Sequence, residues 1–288
     1  MDQGFTELDK ALNNHFEGAI ISSPTKFHVE QTIQCLNKGW PVLLEKPVGL
    51  NLKSVNKLII RTNQKDSPKV LLGYTWRWWE ALRKIKDLLL KNEIGSIYHS
   101  QFFMSAHLAD WHPWEPYQEF FMSSKELGGG ALLDESHWID QMLWLFGMPV
   151  KVMATVEKVS NLDITSDDSV ELLAYYKNGL KVFVHLDIYG RPHEKSIKII
   201  GEYGRIEWNE SSNTVELLKG LEKKESFEFD NERNDMFMAV AKEFLDVING
   251  VESPTCNIKD GLDVMRIIKA VRISKKEERF VNLNEINY

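Results

Sequence analysis

"GAIISSPTKFHVEQTIQCLNKGWPVLLEKP", Gly18 to Pro47, decides the fold. "GAIISSP" is a short apolar run ending in small polar residues, the pattern of a buried strand. "TKFHVEQTIQCLNKG" then sets Val29, Ile33 and Leu36 at helical spacing and closes on Gly39, where a C-terminal cap belongs. "WPVLLEKP" is a second continuous apolar run. Strand, helix and strand with tight junctions form a βαβ unit, whose strands are parallel and whose crossover is right-handed. A second helix over "NLKSVNKLIIRTNQ" leads to a third strand at "KVLLGYTWR", so the first quarter of the chain is parallel α/β.

Beyond Arg77 the pattern changes. The helix "EALRKIKDLLLKNEIG" is followed by an aromatic-rich loop and the glycine-led helix "GGGALLDESHWIDQMLWLFG". From Val150 the chain alternates as strands do, through "VKVMATVEKV", "DSVELLAYYKNGLKVFVHLDIYG", "KSIKIIGEYGRIEWNE" and "NTVELLKG". "YKNGLK" predicts a hairpin, with Asn178-Gly179 suited to a tight type I′ turn. Two closing helices, within residues 236–277, complete an α+β region on a large, mostly antiparallel open sheet. The fold class is α/β: a Rossmann-like parallel sheet over residues 1–75, then an α+β domain over 76–288.

Composition narrows the function. At 288 residues, 43% hydrophobic and 27% charged, the chain has an ordinary globular balance. The net charge of -7 and the lack of a cationic cluster free of acids argue against nucleic acid. Cys35 and Cys256 have no metal-like spacing, and a reducing cytoplasm fits them. The opening "MDQGFTELDKALNN" has no signal-peptide core, and no apolar run is long enough to span a membrane.

In open parallel sheets ligands gather at the carboxyl ends of strands, which singles out Ser22, Ser23, Pro24, Thr25, Glu45 and Lys46. Pro47 biases Lys46 toward extended backbone at the sheet rim. Glu45 and Lys46 also read as a solvated loop pair. On one continuous helix, Ala131, Leu132, Ile139, Met142, Leu143 and Phe146 share an arc, with Asp134, His137 and Gln141 opposite. An aspartate three residues before a histidine can orient it and raise its basicity, or be incidental on an exposed face. "HLADWHPWEPYQEFF", His107 to Phe121, offers a sugar-facing wall or simple aromatic packing; metal binding there matches no standard pattern.

Together, "SSPTKFH", the strand ending Glu45-Lys46-Pro47, "GYTWR" and "GGGALLDESHWID" resemble the Gfo/Idh/MocA oxidoreductase family over nearly the whole chain. The resemblance implies a Rossmann domain for NAD or NADP and an open-sheet domain that builds a homo-oligomer. It also implies hydride transfer between nicotinamide and a sugar, inositol or nucleotide-sugar hydroxyl or ketone. By the same resemblance Lys46, Asp134 and His137 are catalytic, with His137 taking the carbinol proton. Ser22, Pro24, Thr25, His28, Glu45, Lys46 and Arg77 match cofactor-side positions, and Lys46, Trp111, His112, Tyr117 and His137 the substrate side. No metal is implied.

The chain departs from that pattern at its front. None of its 17 glycines completes G-x-G-x-x-G; Gly128 and Gly130 begin it, but Leu133 stands in third place. About fifty to sixty residues, one βαβ unit and a helix, are expected before "FTELDKALNN". "GAIISS" should then lie at a sheet edge. Two further readings follow: a truncated, non-catalytic remnant acting as a binding or assembly module, and metal-dependent hydrolysis through the His107 to Glu115 loop.

Overall fold

Three short strands realise the βαβ reading. β1 (Ala19–Ile21), β2 (Val42–Leu44) and β3 (Val70–Leu72) pair in parallel in that order, with Ala19 opposite Val42 and Val42 opposite Val70. This computed structural model describes residues 4–286, apart from 112 and 222. Every side chain of β2 and β3 is buried, which is why both segments read as uninterrupted apolar runs. A short helix α1 (Leu8–Leu12) precedes the sheet, and α2 (His28–Asn37) and α3 (Leu52–Thr62) are its crossovers. α2 buries Val29, Cys35 and Leu36, and Asn51 caps α3 by accepting from the Ser54 amide. Among the described residues β1 is an edge strand, and Ile20 is exposed on it.

After α4 (Glu80–Leu90) and β4 (Ile97–Ser105) come α5 (Ala131–Asp134) and α6 (Ser136–Phe146). The remaining strands follow almost without interruption: β5 (Lys151–Glu157), β6 (Ser169–Tyr175), β7 (Lys181–Asp187), β8 (Glu194–Gly201), β9 (Gly204–Asn209), β10 (Thr214–Lys219) and β11 (Lys223–Glu228). Helices α7 (Arg233–Ile248) and α8 (Ile258–Glu277) and a short β12 (Val281–Asn282) end the fold. The second sheet runs β11-β10-β9-β8-β4-β7-β6-β5-β12, antiparallel at every junction except β4 with β7. Its inner face buries Ala154, Leu172, Val184, Phe102, Ile197 and Trp208 in register. Fully burying each of the larger of these side chains contributes about 1.5–3 kcal/mol.

α8 joins the two sheets, packing along α3, β3 and β5. Its Gly261 makes this approach possible: a β-carbon there would come within 2.3 Å of Val48 and 2.5 Å of Leu72. Val48 directly follows Lys46-Pro47, so the helix presses on the turn that presents the lysine. No helix among the described residues is long and apolar enough to cross a membrane.

Two local expectations are corrected. The hairpin between β6 and β7 forms, but only Gly179 has positive φ, and its amide donates to the Tyr176 carbonyl at 3.1 Å. This is a type I turn closed by a left-handed glycine, not type I′, which needs positive φ at both central residues. The second correction concerns the glycine-led helix. It breaks at Glu135 (φ -89°, ψ 19°), so Asp134 ends one helix and His137 begins another. A single helical projection therefore fails for Asp134, while Gln141, four residues along the second helix from His137, is buried rather than displayed.

Candidate active site

The site starts where β2 stops. The Glu45 amide still donates to the Ile21 carbonyl at 2.9 Å, and Gly73 donates to Leu44 at 2.8 Å, so the rim is held to both neighbouring strands. Lys46-Pro47 is a cis peptide. His28 staples this turn to the end of β1: its Nδ1 lies 2.7 Å from the Pro47 carbonyl and its Nε2 2.7 Å from that of Ser23.

From this rim the Lys46 ammonium reaches the helix break. Nζ donates to the Asp134 carbonyl at 2.5 Å and to its Oδ1 at 3.1 Å. Burial works against the charge, but Asp134, Glu135 and Glu45 outweigh it and raise the lysine's pKa above its ordinary value. Lys46 is a cation here.

Asp134 is thus the partner of Lys46 and not of His137. The histidine's pKa lies well below the ordinary value, through burial first and then the charges of Lys46, Lys195 and Arg233. This reverses the expectation of an aspartate-raised basicity. His137 Nδ1 is buried without a hydrogen-bond partner, and the ring meets Tyr74 edge-on at 5.9 Å. At neutral pH the ring is uncharged, the form able to accept a proton.

Both groups line one cleft of about 500 Å³. Trp76, Trp79, Trp111 and Phe237 give it an aromatic wall, and Glu135, Lys195, Glu210 and Arg233 add charge. Trp76 is fixed against Trp79, Trp138 and Trp208, with ring centroids 5.4–6.0 Å apart. Glu135 accepts from Trp138 Nε1 at 3.2 Å. Burial and then Asp134 push its carboxyl up to about 7, against Lys46 and Lys195.

Of the residues singled out in the sequence, Glu45, Lys46, Trp111, Asp134 and His137 meet in this cleft. Ser22, Pro24 and Thr25 stand at the end of β1 as expected, outside the cleft lining. Two assignments need correction. His28 is buried with both ring nitrogens facing carbonyls, so it positions the rim and is closed to a ligand. Arg77 is sealed in a bidentate pair with Asp140, at 2.8 and 2.6 Å, and reaches Asp260 at 3.3 Å. Burial opposes its charge and Asp140 overcomes that, raising its pKa.

Tyr117 is tied to the loop between β5 and β6, its hydroxyl accepting from the Asp163 amide at 3.1 Å. His112 lies outside the described residues. Two side chains of the hydrolytic reading are engaged elsewhere: His107 Nδ1 accepts from the Ala109 amide, and Asp110 grips Arg191 at 2.7 Å through both oxygens. Among the described residues no three metal-ligating side chains gather. Sequence reasoning missed Glu135, Lys195 and Arg233. Only Glu135 carried a signal, standing between Asp134 and His137.

A dinucleotide fits this architecture at one end. The end of β2 supplies a cationic donor and α6 a neutral imidazole with an unpartnered nitrogen, as the reactive ring of a nicotinamide needs beside it. Among the described residues no glycine-rich turn links a strand to a helix to cradle a pyrophosphate.

A parallel sheet with a lysine at its rim, facing a histidine from an open-sheet domain, defines the Rossmann-type oxidoreductase class. Residues 3–74 match "Oxidoreductase family, NAD-binding Rossmann fold" and residues 82–207 match "GFO/IDH/MocA C-terminal domain". The chain belongs to the GFO/IDH/MocA oxidoreductase family. It is 26% identical over 192 residues to the glucose-6-phosphate 3-dehydrogenase of Bacillus subtilis, covering 64% of this chain and 53% of that protein. It is 25% identical over 284 residues to the myo-inositol 2-dehydrogenase of Thermotoga maritima, covering 94% and 80%. The chain thus spans about half the length of the Bacillus relative. In fold it is similar to a levoglucosan dehydrogenase solved with NADH: TM-score 0.87, 17% identity, 97% of this chain and 83% of that one.

Proposed function

We propose that the chain is an NAD(P)-dependent oxidoreductase acting on a hydroxyl or ketone of a sugar, an inositol or a nucleotide sugar. The observation that carries this reading is the shared cleft of a charged Lys46 and a neutral His137 at the end of β2. A nicotinamide bound at the strand ends would supply the hydride acceptor or donor. His137 takes the carbinol proton in oxidation and returns it in reduction. Lys46 polarises the reacting oxygen and stabilises its developing negative charge. Asp134 holds the ammonium in place, and Trp76 and Trp111 offer flat faces to the ring carbons.

In this reading residues 1–75 are the cofactor part and 76–288 the substrate and assembly part, bridged by α8. The names of the similar proteins support the substrate class. Homo-oligomer formation through the outer face of the large sheet is supported by Met153, Leu173 and Phe183, which stand opposite one another across β5, β6 and β7, with Met153 and Phe183 exposed.

The test is NAD(P)+-dependent oxidation of myo-inositol and a panel of sugars, followed at the NAD(P)H absorbance. His137→Ala should lower turnover by about 10²–10⁴-fold with its melting temperature retained. Unchanged turnover in that variant would sink the assignment.

A further inference from the structure

Cations and acids do not balance on the wall of the cleft built by β8 and α7. Two neighbouring cations are matched closely: Lys46 by Asp134 at 3.1 Å, and Arg191 by Asp110 at 2.7 Å. Lys195, at the start of β8, is almost buried and has three donors to satisfy. Its counter-ion, Glu210, stands 3.7 Å away, beyond hydrogen-bond length. Arg233, the first residue of α7, lies with its guanidinium 5.8 Å from the Phe237 ring centre. Among the described residues no carboxylate forms an ion pair with it.

These two cations act on one another. Burial lowers the Lys195 pKa, Glu210 and Glu135 draw it back up, and Arg233 pushes it down again. The Arg233 charge is also felt at His137 and at His193, a further residue of the cleft. Of the remaining acids, Asp134 and Asp110 have their own partners, Glu135 titrates near neutrality between Lys46 and Lys195, and burial raises the pKa of Glu45 beside Lys46. An almost buried ammonium without a hydrogen-bonded carboxylate, and an exposed guanidinium at the rim of the same cavity, are both placed to donate to a negative charge brought in with a ligand. Trp76 strengthens the geometry: the Lys195 ammonium sits 5.1 Å from its ring centre, so the anion's position is fixed relative to the aromatic face.

We propose that Lys195 and Arg233 bind an anionic group, a carboxylate or a phosphate, carried by the substrate. The substrate class is then an acidic or phosphorylated sugar, and this rests on reading the cleft as a sugar-type site. The far anion anchors the molecule through charge-assisted hydrogen bonds while a hydroxyl meets Lys46 and His137.

The test measures binding without cofactor, by quenching of tryptophan fluorescence at fixed ionic strength, using D-glucose, D-glucuronate and D-glucose 6-phosphate. The two charged sugars separate carboxylate from phosphate as the source of the anion. At least one should bind about tenfold or more tighter than glucose, and that advantage should fall below about threefold in Arg233→Gln and in Lys195→Gln. Lys195→Arg should retain most of it. Glucose binding as tightly as both charged sugars, no response to either of them, or an advantage surviving both glutamine variants would overturn the proposal. Failure of the oxidoreductase reading is distinguishable. A chain that prefers the charged sugar yet transfers no hydride loses that reading and keeps this one. Turnover of neutral polyols with no charge preference does the reverse.

Discussion

Two buried ion pairs stand on the same short stretch of chain, Lys46 with Asp134 and Arg77 with Asp140, and their difference separates chemistry from architecture. Arg77 and Asp140 form a closed fork, two parallel hydrogen bonds with Asp260 as a third partner, away from the cleft. That pair ties the segment after β3 to α6 and α8. Lys46 donates twice to Asp134 and has three donors, so one is left to face the cleft. A charge that is fully satisfied holds a structure together; one left partly satisfied at a cavity can act on what enters it.

Substitution of each pair is the sharpest way to break this contrast. Lys46→Met should lower turnover by about 10²–10³-fold, the loss found when one donor to a developing oxyanion is removed. Asp140→Asn should leave turnover per folded molecule near wild type and cost about 3–5 kcal/mol of stability, because it leaves a buried guanidinium with Asp260 alone as its carboxylate partner. Denaturant unfolding reads the second effect, and Lys46→Met should lose less than half as much there, since water in the cleft reaches Asp134. Equal stability losses, or a turnover loss in Asp140→Asn as large as in Lys46→Met, would erase the distinction between the pairs.

The contrast also marks what the sequence could reveal. Lys46 was legible because β2 is an uninterrupted apolar run whose end is announced by Glu45 and Pro47. Arg77 has a similar local setting, just beyond a buried strand, yet its partner Asp140 lies in a helix far along the chain, and nothing local says which way the guanidinium turns. His137 was legible from its glycine-led motif, but its protonation was not. That is set first by burial and by Lys46, and then by Lys195 and Arg233, brought in by β8 and α7 with no sequence pattern of their own. The helical projection misplaced Asp134 relative to His137 because it assumed continuity through Glu135, where the backbone leaves helical geometry. The parallel sheet was read correctly because its order follows from local rules of connection.

Glu135 lies between the two aspartates and gives the finest test of how the cleft differs from the sealed pair. Burial and Asp134 raise its folded pKa to about 7 from 4.5, so the folded state binds this proton more tightly than the unfolded chain does. The sign follows directly: the favourable contribution is fully present below about 4.5 and is lost as pH rises through about 7. Glu135→Gln removes the ionisation while keeping an acceptor for Trp138 Nε1. The variant should therefore match wild type near pH 4.5 and become more stable above pH 7, by about 1–3 kcal/mol. Melting temperatures of both proteins from pH 5 to 8 measure the gap. A gap constant with pH would mean that Glu135 is ionised throughout, held by Lys46 and Lys195 against its burial.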